Sequence, residues 1–140
     1  MFDLAVTLLV VAVLVFVCYV VSCIMAPLPQ PLDLGAKLTF KELHEANIER
    51  LPELHEGPDW LLSQWSNAAL GELGEAANII KKIERGDFTV EEKRQALADE
   101  LADTVTYLDL IAHTAGISLG HAVVNKFNRV SDRYNSRVVL

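Results

Sequence analysis

The stretch from Leu4 to Met25 constrains this chain most. Its 22 residues carry no charge, and all but Thr7 and Ser22 are apolar. As a helix rising 1.5 Å per residue it would be about 33 Å long, enough for a hydrocarbon core of about 30 Å. A single membrane-spanning helix is the expectation. A cleaved signal peptide fits less well, because Asp3 and no Lys or Arg precedes the apolar run. Val20-Val21-Ser22-Cys23 also resembles a lipoprotein cleavage box, an alternative that would lipidate Cys23. The nearest cations, Lys37 and Lys41, lie on the C-terminal side and favour a cytoplasmic location for the rest of the chain.

Pro27, Pro29 and Pro31 alternate directly after the apolar run. That spacing stops a helix and favours an extended spacer. The organisation read from sequence is therefore an anchor over 1–26, a proline-rich linker over 27–38, one folded domain over 39–135 and a tail over 136–140. The chain has 140 residues, so at most one ordinary domain fits. That length excludes a two-domain Rossmann enzyme or a TIM barrel.

The net charge is −7, and all 12 Lys and Arg lie at or beyond Lys37, together with most of the 19 acids. An acidic domain argues against a nucleic-acid polymer as partner, since binding its phosphates requires clustered cations. Both cysteines, Cys18 and Cys23, fall in the apolar run, so the folded part holds no disulfide framework and no thiolate metal site.

The folded part reads as all-α, with four helices joined by short links in a bundle. The first spans about Thr39 to Leu51 and ends at Pro52. The second opens at Gly57-Pro58-Asp59, with Asp59 as N-cap, and runs to about Arg85 before Gly86. Thr89-Val90-Glu91-Glu92 reads as a capping box for the third, which reaches about Ala115 before Gly116. Ser118 can cap the fourth, from Leu119 to about Tyr134.

Two acidic pairs stand out. Glu72 and Glu75 lie three apart, as do Glu100 and Asp103, and residues at that spacing share a helix face. Both pairs mirror about the turn Gly86-Asp87-Phe88, which places Glu75 level with Glu100 and Glu72 level with Asp103. Leu73, Ala76, Ala77 and Ile80 flank one pair, and Leu97, Leu101, Val105, Leu108 and Ile111 the other. Gly71 and Gly74 leave room at some cost in helix stability. Converging carboxylates repel and favour a hard cation, Mg²⁺ or Mn²⁺. No His follows either pair at the Glu-x-x-His spacing of di-iron bundles.

The ordered set resembles the MazG-like all-α nucleoside triphosphate pyrophosphohydrolases. Ala69-Leu70-Gly71-Glu72-Leu73-Gly74-Glu75-Ala76 is similar to the first motif of that superfamily. Asp99-Glu100-Leu101-Ala102-Asp103-Thr104-Val105-Thr106-Tyr107-Leu108 is similar to the second. Gly116 to Ala122 and Asn125 to Arg133 resemble its fourth-helix segment. The likeness covers about Thr39 to Arg133.

The resemblance implies cleavage of a (d)NTP between its α and β phosphates, releasing the monophosphate and pyrophosphate. It implies that Glu72, Glu75, Glu100 and Asp103 ligate Mg²⁺, with Glu75 as the base that takes a proton from water. Lys126, Arg129, Arg133 and Asn125 would hold the phosphates. Trp65, with Tyr107 and His44, would receive the base. Members usually form dimers or tetramers, so a homodimer or homotetramer is expected. Members are usually soluble, and the anchor is a departure from them. Two alternatives stay open: a non-catalytic nucleotide-binding or oligomerising membrane adaptor with the same fold, and a phosphoribosyl-ATP pyrophosphohydrolase.

Overall fold

The computed structural model describes residues 11, 13–17, 37–54 and 59–140. The expected anchor and the proline linker lie largely outside these residues. Val11 and residues 13–17 are helical and exposed, in a unit separate from Leu38–Leu140. Among the described residues no helix is long and apolar enough to cross a membrane.

The second unit is all-α. Its helices are α1 (Phe40–Leu54), α2 (Leu62–Glu84), α3 (Val90–Thr114) and α4 (Leu119–Arg133). Reciprocal side-chain bonds start two of them. Thr39 and Thr89 each accept from the backbone N–H three residues on, at 3.1 and 3.2 Å, and each donates its own N–H to Glu42 or Glu92. Each box satisfies two amides that the first turn leaves without helical partners. Gly86 and Gly116 end α2 and α3 at positive φ, 81° and 67°, where a side chain would be strained.

The helix ends differ from expectation in three places. Pro52 lies inside α1, which continues to Leu54. A proline removes one N–H and crowds the carbonyl four residues earlier, and here the helix continues only two residues beyond it. Asp59 is not the cap of α2. Leu61 takes that position in extended geometry, and its N–H donates to the Gln64 side chain at 2.8 Å. Ser118 precedes α4 in extended geometry but makes no side-chain cap bond.

The α2–α3 hairpin dominates the packing. Trp65, Ala69, Glu72, Ala76, Ile79 and Ile83 repeat at coiled-coil spacing and are among the less exposed residues of α2. Helix α1 lies along α3 through a polar seam. Asp109 is only 2% exposed. Its carboxylate accepts from Asn47 Nδ2 at 3.0 Å and pairs with His44 Nδ1 at 3.3 Å. Helix α4 touches α1 and α3 but has no contact with α2. Its first turn meets α1 closely, and a Cβ on Gly120 would lie 3.1 Å from Phe40 Cβ.

The buried apolar core is small: Trp65, Ala69, Ala76, Leu110 and Ala112. Leu70, Leu73 and Ile80 of α2 and Leu101, Val105 and Leu108 of α3 all stay more than 40% exposed.

Candidate functional site

The site is built along the α2–α3 seam. At its centre the Glu100 carboxyl is raised above the ordinary carboxylate range. Desolvation is the main cause, followed by a hydrogen bond with Glu72 and the charges of Glu75, Glu72 and Asp103. Glu72, Glu75 and Asp103 therefore lie near enough to Glu100 for their charges to act on it. Their register is shifted from the expected one. Glu72 faces Glu100, and further along the seam the Trp65 ring meets that of Tyr107 with centroids 6.1 Å apart and planes tilted by 36°. Both contacts mirror about residue 86 rather than a point between 87 and 88, which displaces the pairing by almost a turn. The pivot is Gly86, where the positive φ reverses the chain.

At 100° per residue, Glu75 and Asp103 fall on one flank of the seam. Helix α1 occupies that same flank through Thr106 and Asp109. The exposed leucines and valines fall on the other. The carboxylates thus line the side of the hairpin that α1 borders, and the apolar face lies behind them. Gly71 and Gly74 are open, since a Cβ at either would meet nothing within 4 Å. Among the described residues nothing fills the room that they leave.

Two helical turns from Glu72 and Glu100, about 10 Å along the axis, lies an aromatic end. Trp65 is buried against Trp60, 4.5 Å away, and against Tyr107. Both tryptophans line a cavity of about 500 Å³ with Leu51, Pro52, Asp59, His113 and Thr114. The interval between the carboxylates and this cavity is occupied by the small side chains of Ala69 and Thr104.

The remaining expected site residues lie elsewhere. His44 does not reach the tryptophan cavity. It borders a separate cavity of about 400 Å³ with Lys41 and His121, and its ring sits 5.3 Å from that of His113. Asn125 and Arg129 line an open cleft on α4, while Lys126 lies beside Phe127 and Val130 in an apolar one. Arg133 is exposed in the last turn of α4. Within a single chain these groups are not brought to the carboxylates, because α4 does not touch α2.

The donor set suits a hard divalent cation. It consists of four carboxylates with no thiolate or imidazole among them, and it contains a carboxyl whose ionisation its neighbours oppose. Among the described residues no three His, Cys, Asp or Glu side chains are drawn together tightly enough to enclose an ion.

Sequence reasoning missed Asn47 and Asp109. The available signal was an Asp inside the apolar run Leu108 to Ile111, where a solvated acid is out of place. His113, exposed at the end of α3, lines the tryptophan cavity. No family model, curated protein or solved structure matches the chain.

Proposed function

We propose that this chain is a Mg²⁺-dependent nucleoside triphosphate pyrophosphohydrolase of the MazG-like kind, with its helices forming that superfamily's bundle. The observation that carries the reading is the convergence of Glu72, Glu75 and Asp103 on Glu100, with an aromatic cavity about 10 Å away along one seam. That separation suits a nucleotide lying along the hairpin, its base among the tryptophans and its phosphates over the acids.

A divalent cation bound at the acids would neutralise phosphate oxygens and acidify a water molecule. The chain's own groups do the rest. Glu72 and Glu100, on facing helices of the seam, would serve as ligands of the cation. Asp103 would join them from the flank. Glu75 is exposed on that flank and takes the proton of the attacking water. The α–β phosphoanhydride bond breaks, releasing the nucleoside monophosphate and pyrophosphate.

The partner is a second copy of this chain. Leu70, Leu73 and Ile80 of α2 with Leu101, Val105 and Leu108 of α3 leave an exposed apolar face that a second copy would cover. Pairing two hairpins across it builds a four-helix core. Lys126, Arg129, Arg133 and Asn125 then supply the phosphate charge from the partner's α4, which its own α2 does not engage. The uncharged stretch Leu4 to Met25 anchors the assembly in a membrane, with the domain on the cytoplasmic side where (d)NTPs are found.

Mixing inactive variants tests both parts. Wild type should release pyrophosphate from at least one (d)NTP, while Glu72→Ala and Lys126→Ala should each fail. Mixed and refolded together, the two variants should regain part of the activity, because one site in a mixed dimer is intact. An active Glu72→Ala enzyme would overturn the catalytic assignment. Absence of regained activity would mean that the cations act in the same chain as the acids.

A further inference from the structure

The segment that follows α4 turns back along it. Asn135 takes a left-handed φ of 52°. Its N–H and that of Ser136 donate to the Asp132 and Ser131 carbonyls at 3.1 and 2.9 Å. These are the two bonds of a Schellman turn, with asparagine where glycine is more usual. Residues 136–140 form no helix or strand, yet their far end is held. Leu140 donates its N–H to Asn128 Oδ1 at 2.9 Å, and its carbonyl accepts from Asn128 Nδ2 at 3.3 Å. One side-chain amide thus pairs with both main-chain groups of one residue, as a neighbouring strand would. Val138, Val139 and Leu140 are all more than 60% exposed, so main-chain bonds rather than apolar burial hold the segment.

Asn128 shares one face of α4 with Asn125, Arg129 and Asp132, and all four line the open cleft. We propose that residues 136–140 are a strap that competes with phosphate groups for this cleft. The inference rests on the reading of Asn125 and Arg129 as phosphate-binding residues and extends it to their regulation. With the strap docked, Asn128 has its acceptor and one N–H engaged, and the Leu140 carbonyl sets a further acceptor beside the donors that an anion needs. With the strap released, Asn125, Asn128 and Arg129 present donors at successive positions of one face, and Asp132 at the far end is the one carboxylate of the lining. A phosphate gains charge-assisted bonds from Arg129, whereas the strap makes only neutral bonds at a surface. It is therefore displaceable, and the apparent affinity for phosphate falls with the fraction of chains in which the strap is docked.

Two variants release the strap and leave the cleft residues in place. Leu140→Pro deletes the N–H that Asn128 accepts. Asn135→Val opposes the positive φ that turns the chain back. The full chain in detergent with Mg²⁺ is titrated with inorganic pyrophosphate by calorimetry. Both variants should bind it about threefold more tightly than wild type, or better. Tryptic cleavage after Arg137 reports the strap itself. It should be several-fold faster in both variants, and pyrophosphate should accelerate it in wild type. Equal or weaker pyrophosphate binding in both variants, no binding by any of the three proteins, cleavage no faster in either variant, or cleavage of wild type that pyrophosphate leaves unchanged would overturn the proposal. A parallel hydrolysis assay separates it from the function itself. Turnover of a triphosphate with pyrophosphate affinities equal in all three proteins defeats only the strap. Tighter pyrophosphate binding in the variants without turnover of any triphosphate leaves the strap standing and defeats the enzyme reading.

Discussion

Glu72 faces Glu100 across the α2–α3 seam and helps to raise the Glu100 carboxyl above the ordinary carboxylate range. Glu75 and Asp103 add negative charge, and desolvation at the seam opposes ionisation further. A cation bound among the four carboxylates would relieve that repulsion.

Mg²⁺ should therefore stabilise the fold. Folding raises the Glu100 value, so the stability linked to this group is present at low pH. It is lost as pH rises from the unfolded value through the folded one. At neutral pH, millimolar Mg²⁺ should raise the thermal midpoint by several degrees. Glu100→Gln should raise the midpoint of the metal-free protein and reduce the Mg²⁺ increment. Scanning calorimetry with and without Mg²⁺ checks both. A Glu100→Gln variant with an undiminished increment would place the ion elsewhere.

The Asn47–Asp109 bond should matter to stability because Asp109 is 2% exposed. Asn47→Ala leaves a buried carboxylate short of a donor, at a cost of about 1–3 kcal/mol. Urea denaturation measures this. A loss below about 0.5 kcal/mol, the range of ordinary surface substitutions, would mean that the seam does not hold α1 on α3.

Thr89→Ala should cost about 1 kcal/mol by removing the α3 cap. Hydrogen bonds from the Thr89 backbone and hydroxyl hold Glu92 below its ordinary value. The contribution of the box is thus present above the unfolded value of Glu92 and is lost as pH falls through its folded value. The difference between wild type and Thr89→Ala should shrink on acidification. Denaturation curves at about pH 7 and about pH 3, either side of the carboxylate range, test this, and an equal difference at both would contradict it.

Leu73 and Val105 are 48% and 43% exposed on the face behind the carboxylates. Leu73→Lys with Val105→Lys should abolish self-association, because buried like charges oppose docking. Sedimentation of the full chain in detergent should show a dimer or larger for wild type and a monomer for the double variant, with helical circular dichroism retained. A double variant that remained oligomeric would locate the interface on another surface.

Much of the fold was legible in sequence because it rests on local chemistry. The Thr89–Glu92 box and the glycines at 86 and 116 act within a few residues of themselves, and the spacing of each acidic pair fixes its face. The register was not legible. It depends on how Gly86 reverses the chain, and an error of three residues exchanges Glu75 for Glu72 as the partner of Glu100. His44 and Asp109 are 65 residues apart, and nothing in either neighbourhood announces the other. The separation of Lys126, Arg129 and Arg133 from the acids was equally hidden, since it depends on the direction in which α4 leaves the turn at Gly116.

Product identification decides whether the acidic seam hydrolyses nucleotides and at which bond. The full chain is incubated with Mg²⁺ and each common (d)NTP, and the products are resolved by phosphorus NMR. Nucleoside monophosphate and pyrophosphate should form in equal amounts from at least one substrate, with neither formed by Glu72→Ala. Nucleoside diphosphate with orthophosphate, or no product from any triphosphate, would contradict the assignment.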